Sequence, residues 1–190
     1  GMYAGLFTHM DADADKYGAK ARKQINKDLY GKMGTEDERL VWWNPKDANN
    51  KDGGYQQEKF KFSDIQTWMG DYVWMRIEEM YLIAAEASVR LNKGDAAKYI
   101  NVLRTRAGAG TVSESQVDLN YIFDEYAREL CGECARWYLL KRNAAFETRL
   151  AAYNKRAAEH FKKEFYLRPI PTKYLDAINN PAEFGQNAGY

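Results

Sequence analysis

Arg76-Ile77-Glu78-Glu79-Met80-Tyr81-Leu82-Ile83-Ala84-Ala85-Glu86-Ala87-Ser88-Val89-Arg90-Leu91, followed by Asn92-Lys93-Gly94-Asp95, decides the fold class of this chain. Ile77, Met80, Tyr81, Ala84, Ser88 and Leu91 recur at spacings of three and four, which predicts an amphipathic helix with these residues as its buried stripe. The next four residues end it. Gly94 takes the left-handed turn, and Asp95 caps a second helix whose buried face is Tyr99, Ile100, Leu103 and Ala107. Ala84, Ala85 and Ala87 let the second helix approach closely, so the pair reads as an antiparallel hairpin of about the length of a tetratricopeptide unit. Such a hairpin cannot bury its face alone, and it is expected to be one of several stacked pairs, some outside this chain.

Downstream, Leu119, Ile122, Phe123, Tyr126, Leu130, Cys134 and Trp137 predict one longer helix running to about Arg142, with a charged opposite face. Another helix is expected within Ala144 to Lys163. The segment from Phe165 to Pro171 is extended because two prolines forbid helix, and Thr172 caps a last short helix ending near Asn179-Asn180-Pro181. Upstream the pattern is weaker. Lys16 to Leu29 suits one short helix, Asn44 through Gln57 reads as a loop, and Lys59-Phe60-Lys61-Phe62 alternates as a short strand does. The fold expected is mainly α, with helical hairpins of tetratricopeptide-like type, long irregular loops and little or no strand. Residues 1–71 form a loop-rich, candidate ligand-facing segment and residues 72–190 the helical region, within one compact unit.

At 190 residues, 45% hydrophobic and 29% charged, the chain suits a single globular domain. Its 28 basic and 27 acidic residues leave a net charge of +1, which argues against nucleic acid as a partner. Aromatic residues make up 14%, more than one small core needs, so some rings are expected to face a ligand or another protein. No apolar stretch of about 18 residues suggests a membrane span. Gly1-Met2-Tyr3 resembles a tag-cleavage scar and says little about a native leader. Cys131 and Cys134, read as mid-helix, are expected to be buried, unbridged thiols, because their spacing is too wide for a disulfide and no further Cys pair completes a metal site.

Binding of a sugar needs flat apolar surfaces beside fixed polar groups. Trp42 and Trp43, next to Arg39 and the Asn44 to Gln57 loop, meet that description together with Tyr55; Trp68, Tyr72 and Trp74 are further candidates. The alternative for the adjacent tryptophans is that one is buried and the other exposed. Trp74 and Trp137 lie on or beside apolar helix faces and read as core. Glu125, Glu129 and Glu133 invite a glycosidase reading, but pairing of Asp124 with Arg128 and Glu133 with Arg136 describes a salt-bridged or solvated face better than a cleft. Arg76, Glu79, Glu86, Arg104 and Arg106 are expected to hold helices together. Asp11, Asp13 and Asp15 alternate as calcium ligands do, yet Lys16 and Arg22 occupy the Gly and Glu positions of an EF-hand; another calcium site or a capped turn stays open. No phosphate-cradling loop appears and neither histidine has the company of a triad, so no catalytic residue, metal or cofactor is expected.

Four blocks together resemble the SusD/RagB family of surface lipoproteins. Arg76 to Ala87 is similar to the family's Arg-x-x-Glu-x-Tyr-Leu-x-x-Ala-Glu-Ala helix, and Asn101-Val102-Leu103-Arg104-Thr105-Arg106-Ala107-Gly108 to its Asn-x-x-Arg-x-Arg-Ala-Gly. Glu125 through Arg142 resembles the Glu-Arg-x-x-Glu-Leu-x-x-Glu-x-x-Arg-Trp helix, and Pro169-Ile170-Pro171 with Gln186-Asn187-Ala188-Gly189-Tyr190 the family's ending. Tyr126, Ala127, Leu139 and Ala188 depart from the pattern. The resemblance implies a non-enzyme that binds oligosaccharide or polysaccharide at the outer-membrane surface, anchored by a lipid on an N-terminal part outside this sequence, and passes it to a SusC-like TonB-dependent transporter. The reading from another class is a protein-interaction scaffold with no glycan site of its own, docking to the missing N-terminal half or to the transporter.

Overall fold

A computed structural model of the chain describes residues 24–44, 54–57, 59–60, 74–133, 135–178 and 181–190. These residues gather into two compact units, one ending at Arg136 and one beginning at Trp137. The calcium-like run at Asp11 to Asp15, Trp68, Tyr72, Cys134 and the second half of the Lys59 to Phe62 segment lie outside the described residues.

In the first unit the hairpin forms as the spacing requires: α2 covers Ile77–Leu91 and α3 covers Ala96–Arg106. Among the elements before it, β1 (Gln24–Asn26) runs directly into α1 (Lys27–Gly31). Asn92 and Gly94 both take the left-handed conformation in the connection, at φ 50° and 74°. Asp95 stands at the N-cap of α3 but turns its side chain back to the Ser88 hydroxyl. The capping is supplied from farther along the chain, because Glu114 accepts from the Ala96 and Ala97 amides at 3.0 and 2.7 Å. Ile100, Leu103 and Ala107 are buried as expected.

The buried side of α2 is not the one the spacing suggested. Leu82 and Ala85 are fully covered and Glu86 and Ser88 nearly so, whereas Ile77 and Leu91 are 64% and 66% exposed. Several apolar stripes can be traced on a helix this rich in alanine and aliphatic residues, and the stripe facing α3 and α4 (Leu119–Glu129) is the one with Ala85 at its centre.

The expected continuous third helix is broken. α4 is capped by Asp118, which accepts from the Tyr121 amide at 2.7 Å, and buries Ile122, Phe123 and Tyr126. It stops at Glu129, and α5 begins only at Ala135. The cause comes from distant sequence: Lys59 Nζ and Arg76 Nη2 both donate to the Glu129 carbonyl, which a continuing helix would need for itself. Gly132 then turns the chain at φ 82°, a conformation that disfavours any side chain. Cys131 therefore sits in a turn, as a free thiol that burial pushes up to a pKa of about 11.

The segments read as one helix and one loop near the start contain a small antiparallel sheet. β2 (Trp43–Asn44) and β3 (Gly54–Gln57) join β1 in the order β1-β3-β2. Ile25 lies opposite Tyr55, and Trp43 opposite Gln57. The strand at Gln24–Asn26 replaces part of the helix expected over Lys16 to Leu29, since β3 offers it a hydrogen-bonding edge that no single-segment pattern reveals. Ile25, Met33 and Trp43 form a separate apolar cluster beneath this sheet.

The second unit begins within α5 (Ala135–Arg142) and continues through α6 (Phe146–Tyr153) and α7 (Lys155–His160), the latter two divided by Asn154, whose side chain caps α7. Its core is aromatic. Phe146 meets Trp137, Tyr166 and Phe161 at centroid distances of 4.7, 5.1 and 5.5 Å. Lys163–Tyr166 form a 3-10 turn where extended chain was expected, and Leu167 to Pro171 is non-helical. α8 (Thr172–Asp176) starts on Thr172 itself, with Pro171 rather than Thr172 at the cap, and α9 (Pro181–Phe184) follows. Gln186 then clasps Ile170, accepting from its amide at 2.7 Å and donating to its carbonyl at 2.9 Å, while Asn187 donates to the Arg168 carbonyl. The Gln186 to Tyr190 motif is thus a closing strap on the proline segment.

Candidate functional site

Arg39 is the residue on which the non-helical segment hangs. It lies in a 3-10 turn, Glu38–Trp42, capped by Asp37, and only 2% of it is exposed. Its Nε and Nη2 grip both oxygens of Asp37 at 2.9 Å, and Nη1 reaches Glu125 at 2.7 Å and Glu129 at 3.0 Å on α4. Burial opposes ionisation of Asp37, but the Arg39 hydrogen bond and charge outweigh it and hold the carboxyl below its ordinary range. The neighbouring Glu38 amide donates to the Ala107 carbonyl at 2.9 Å. Gly108, at φ 64°, has no room for a side chain there, since a Cβ would lie 2.9 Å from the Glu36 carbonyl oxygen.

The network continues toward the start of α2. Glu129 accepts from Arg106 Nη2 at 2.6 Å and Arg76 Nη1 at 3.1 Å; Glu133 accepts from Arg76 and Lys59. Both carboxyls are held below the ordinary range: burial raises them, and the arginines around Glu129, with Arg76 and Lys59 around Glu133, more than reverse it. Lys59 is pushed down by burial despite its contact with Glu133. Glu125 and Glu129 have no exposed side-chain surface, so of the salt-bridged or solvated face expected for this helix the salt-bridged form is found, at the buried centre of the unit. The pairing differs too: Arg128 binds Glu125, Asp124 meets Lys32, and Glu78 rather than Glu79 receives Arg106. With every acid of this row gripped by arginine or lysine, the arrangement binds segments together and offers no pair of carboxyls across a cleft.

The three residues singled out as glycan contacts lie close along this scaffold. Trp42 ends the 3-10 turn half-buried, with Lys59 Nζ 4.3 Å from its ring centroid. Trp43 begins β2 and is 4% exposed, packed with Ile25 and Met33. Of the adjacent pair, one ring is thus core, the alternative the sequence left open. Its indole Nε1 has no hydrogen-bond partner among the described residues, although a buried donor left unpaired costs about 1–3 kcal/mol. Tyr55 occupies β3, one strand from Trp43; of Tyr55 the structure describes the backbone. Trp74, read as core, is instead 85% exposed just before α2. Lys59, which lies over Trp42, and Arg76, which Trp74 precedes by two residues, share Glu133. Neither the role of Lys59 nor the exposure of Trp74 left a periodic trace; the only signal was that Trp74 precedes the helix it was assigned to. Trp137 packs in the second unit, with Arg168 over its ring.

Among the described residues no group of His, Cys, Asp or Glu suits a metal ion, and no helix is long and apolar enough to cross a membrane.

Comparison with known proteins follows this geometry. The model of the SusD family matches residues 16–190. The chain is 31% identical over 133 residues to SusD-like protein P2 of Formosa agariphila, an alignment covering 63% of this chain and 26% of that protein. It is similar, with a TM-score of 0.53 and 30% identity, to the crystal structure of a SusD-like carbohydrate binding protein from Bacteroides vulgatus, covering 63% of this chain and 27% of that one. The chain thus spans about a quarter of the length of these relatives.

Proposed function

The chain belongs to the SusD family, and we propose that it takes part in capturing oligosaccharide or polysaccharide without transforming it, at the cell surface, for hand-over to a SusC-like TonB-dependent transporter. The observation that supports this most is the group at Glu133, where Lys59 lies over a half-buried Trp42 and Arg76 follows, by two residues, a nearly fully exposed Trp74. A sugar stacks on such a ring; Trp43, also proposed as a contact, acts from the core cluster against which Trp42 packs. Tyr55 on the adjacent strand is the third proposed contact. Surface location and a lipid anchor belong to the same proposal and rest on the family alone.

Isothermal titration against a glycan panel tests it. Trp74→Ala and Trp42→Ala should each weaken binding several-fold, about 0.5–1.5 kcal/mol per stacked ring. Trp43→Phe, which removes the N–H and keeps the ring, is the right change at a core position, where truncation to alanine would cost about 3–5 kcal/mol of stability. Heat from no glycan, or heat unchanged by all three substitutions, refutes the site.

A second reading is favoured by α2. Ile77, Met80, Ala84, Ala87 and Leu91 fall at alternating three- and four-residue steps, and Ile77, Met80 and Leu91 are exposed. A helical seam of this kind supports docking against further helices of a longer polypeptide, the scaffold role.

A further inference from the structure

The second unit carries a concentration of charge that its own acids leave unanswered. Between positions 155 and 173 stand six cations, Lys155, Arg156, Lys162, Lys163, Arg168 and Lys173, against two acids, Glu159 and Glu164. All six are exposed, and none forms an ion pair among the described residues. Arg168 lies over the ring of Trp137 and Lys173 beside that of Tyr174, contacts with rings and not with carboxylates. Glu147 feels Lys163 only at a distance and takes its hydrogen bond from the Tyr166 hydroxyl at 2.7 Å. Part-exposed cations of the first unit behave differently: Arg90 meets Glu86, and Arg106 meets Glu78 and Glu129.

These charges are set among rings held from beneath. Phe165 meets Phe161 edge-on at a centroid distance of 6.1 Å, and Phe161 meets Tyr166 at 5.7 Å. Residues 189 and 190 lie on the same turn, because Gly189, at φ 92°, is too close to the Glu164 side chain for any Cβ, and the Tyr190 hydroxyl donates to the Leu167 carbonyl at 3.0 Å. From Leu167 to Pro171 the chain is non-helical and stiffened by two prolines. Phe165, Tyr190 and Tyr174 are 37%, 46% and 58% exposed, so each ring is anchored by part of its surface and offers the rest. That is the form of a stacking platform for sugar faces. A bilayer is gripped instead by the apolar face of an amphipathic helix, whereas Lys162, Lys163 and Arg168 stand on a turn and on non-helical chain. Four of the six cations are lysine, the residue that protein interfaces tend to exclude.

Resting on the glycan-binding reading above, we propose that this surface binds an acidic polysaccharide, one bearing uronate or sulfate ester groups along its length. The cations take the anionic groups, and Phe165, Tyr174 and Tyr190 take sugar faces between them. A neutral glycan gains nothing from the six charges. The two sets of contacts are then divided by chemistry: Trp42 and Trp74 accept sugars of any kind, and residues 155–173 select acidic chains.

Titration of the full chain with oligogalacturonate, a sulfated oligosaccharide, a neutral oligosaccharide of equal length, a DNA oligonucleotide and vesicles of phosphatidylglycerol in phosphatidylcholine tests the assignment. At least one acidic oligosaccharide should bind about tenfold more tightly than the neutral one, with the margin shrinking as salt is raised. Lys162→Gln with Lys163→Gln should cost the acidic chain about fivefold, and adding Lys155→Gln and Arg156→Gln should erase the margin while leaving the neutral glycan unaffected. Thermal melting checks that these exposed changes keep the fold. Lys93→Gln with Lys98→Gln, which removes two exposed cations from the first unit, should leave the margin intact. Whether uronate or sulfate ester carries the preference identifies the anionic group. Equal binding of acidic and neutral glycans overturns this assignment and leaves the glycan-binding reading standing. A margin lost equally in the Lys93 and Lys98 control overturns it as a general charge effect, and tighter binding of DNA or of the vesicles overturns it in favour of those partners. Binding of no glycan overturns both.

Discussion

Glu129 has no exposed side-chain surface and still carries a charge, because Arg39, Arg76 and Arg106 converge on it at 3.0, 3.1 and 2.6 Å. Removing one member of such a set leaves the others buried without compensation, which costs more than the set contributes when intact. Glu129→Gln is therefore expected to destabilise the chain by about 3 kcal/mol, whereas Glu79→Gln should stay within about 0.5 kcal/mol; chemical denaturation of the two variants separates them. The same residues set the acid limit. Asp37, Glu129 and Glu133 all have depressed folded-state pKa values, so their contribution is complete above the unfolded carboxylate values of about 4 and is lost as pH falls through the folded ones. Thermal midpoints should stay level from pH 7 to 5 and fall steeply below about pH 4, and the fall should be shallower in Glu129→Gln. Sequence alone pointed to arginine and glutamate as scaffold and to a salt-bridged or solvated face for Glu125 and Glu129, without indicating that the face is buried. A four-residue interval says that charges share a helix face; it does not say that Arg39, some ninety positions earlier, arrives to bury them.

Helix existence was legible wherever apolar residues repeat over many turns, as in α2, α3 and α4, because that signal is local. Helix ends were less so, since they depend on partners from distant sequence: the Glu129 carbonyl is claimed by Lys59 and Arg76, and α3 is capped by Glu114 and not by Asp95. The sheet was unreadable for the same reason, because β1 and β3 lie about thirty residues apart and each is too short to show alternation. The capping arrangement makes a prediction at this scale. Glu114→Ala leaves two orphan amides at the start of α3 and should cost about 1 kcal/mol, while Asp95→Ala, whose side chain bonds Ser88 and not the helix, should leave the α3 amides paired. Hydrogen exchange resolves this, with faster exchange at Ala96 and Ala97 in the first variant and unchanged rates in the second. Equal exchange in both would return the capping role to Asp95.

For the whole chain, what governs behaviour is the side of α2 turned away from its partners. Of the stripe chosen from sequence as buried, Ile77, Met80, Tyr81, Ala84, Ser88 and Leu91, Ser88 is buried, Tyr81 and Ala84 are partly covered, and Ile77, Met80 and Leu91 are exposed, while Leu82 and Ala85 face inward. The choice was a matter of rotation around a helix that is apolar on more than one side, and a helix of that kind is built to be covered twice. Scattered apolar side chains need no explanation, but a row of them along four turns, with Trp74 and Met75 at 85% and 72% exposure at its head, is what the proposed docking of further helices requires. Ile77→Lys with Leu91→Glu should leave the denaturation midpoint nearly unchanged, because both side chains are already about two-thirds exposed. The same pair should suppress concentration-dependent self-association of the isolated chain in sedimentation velocity, and should prevent its assembly with any longer helical partner. A stability lowered by several kcal/mol would show instead that the seam is closed within this chain, and the helix would then belong wholly to the core.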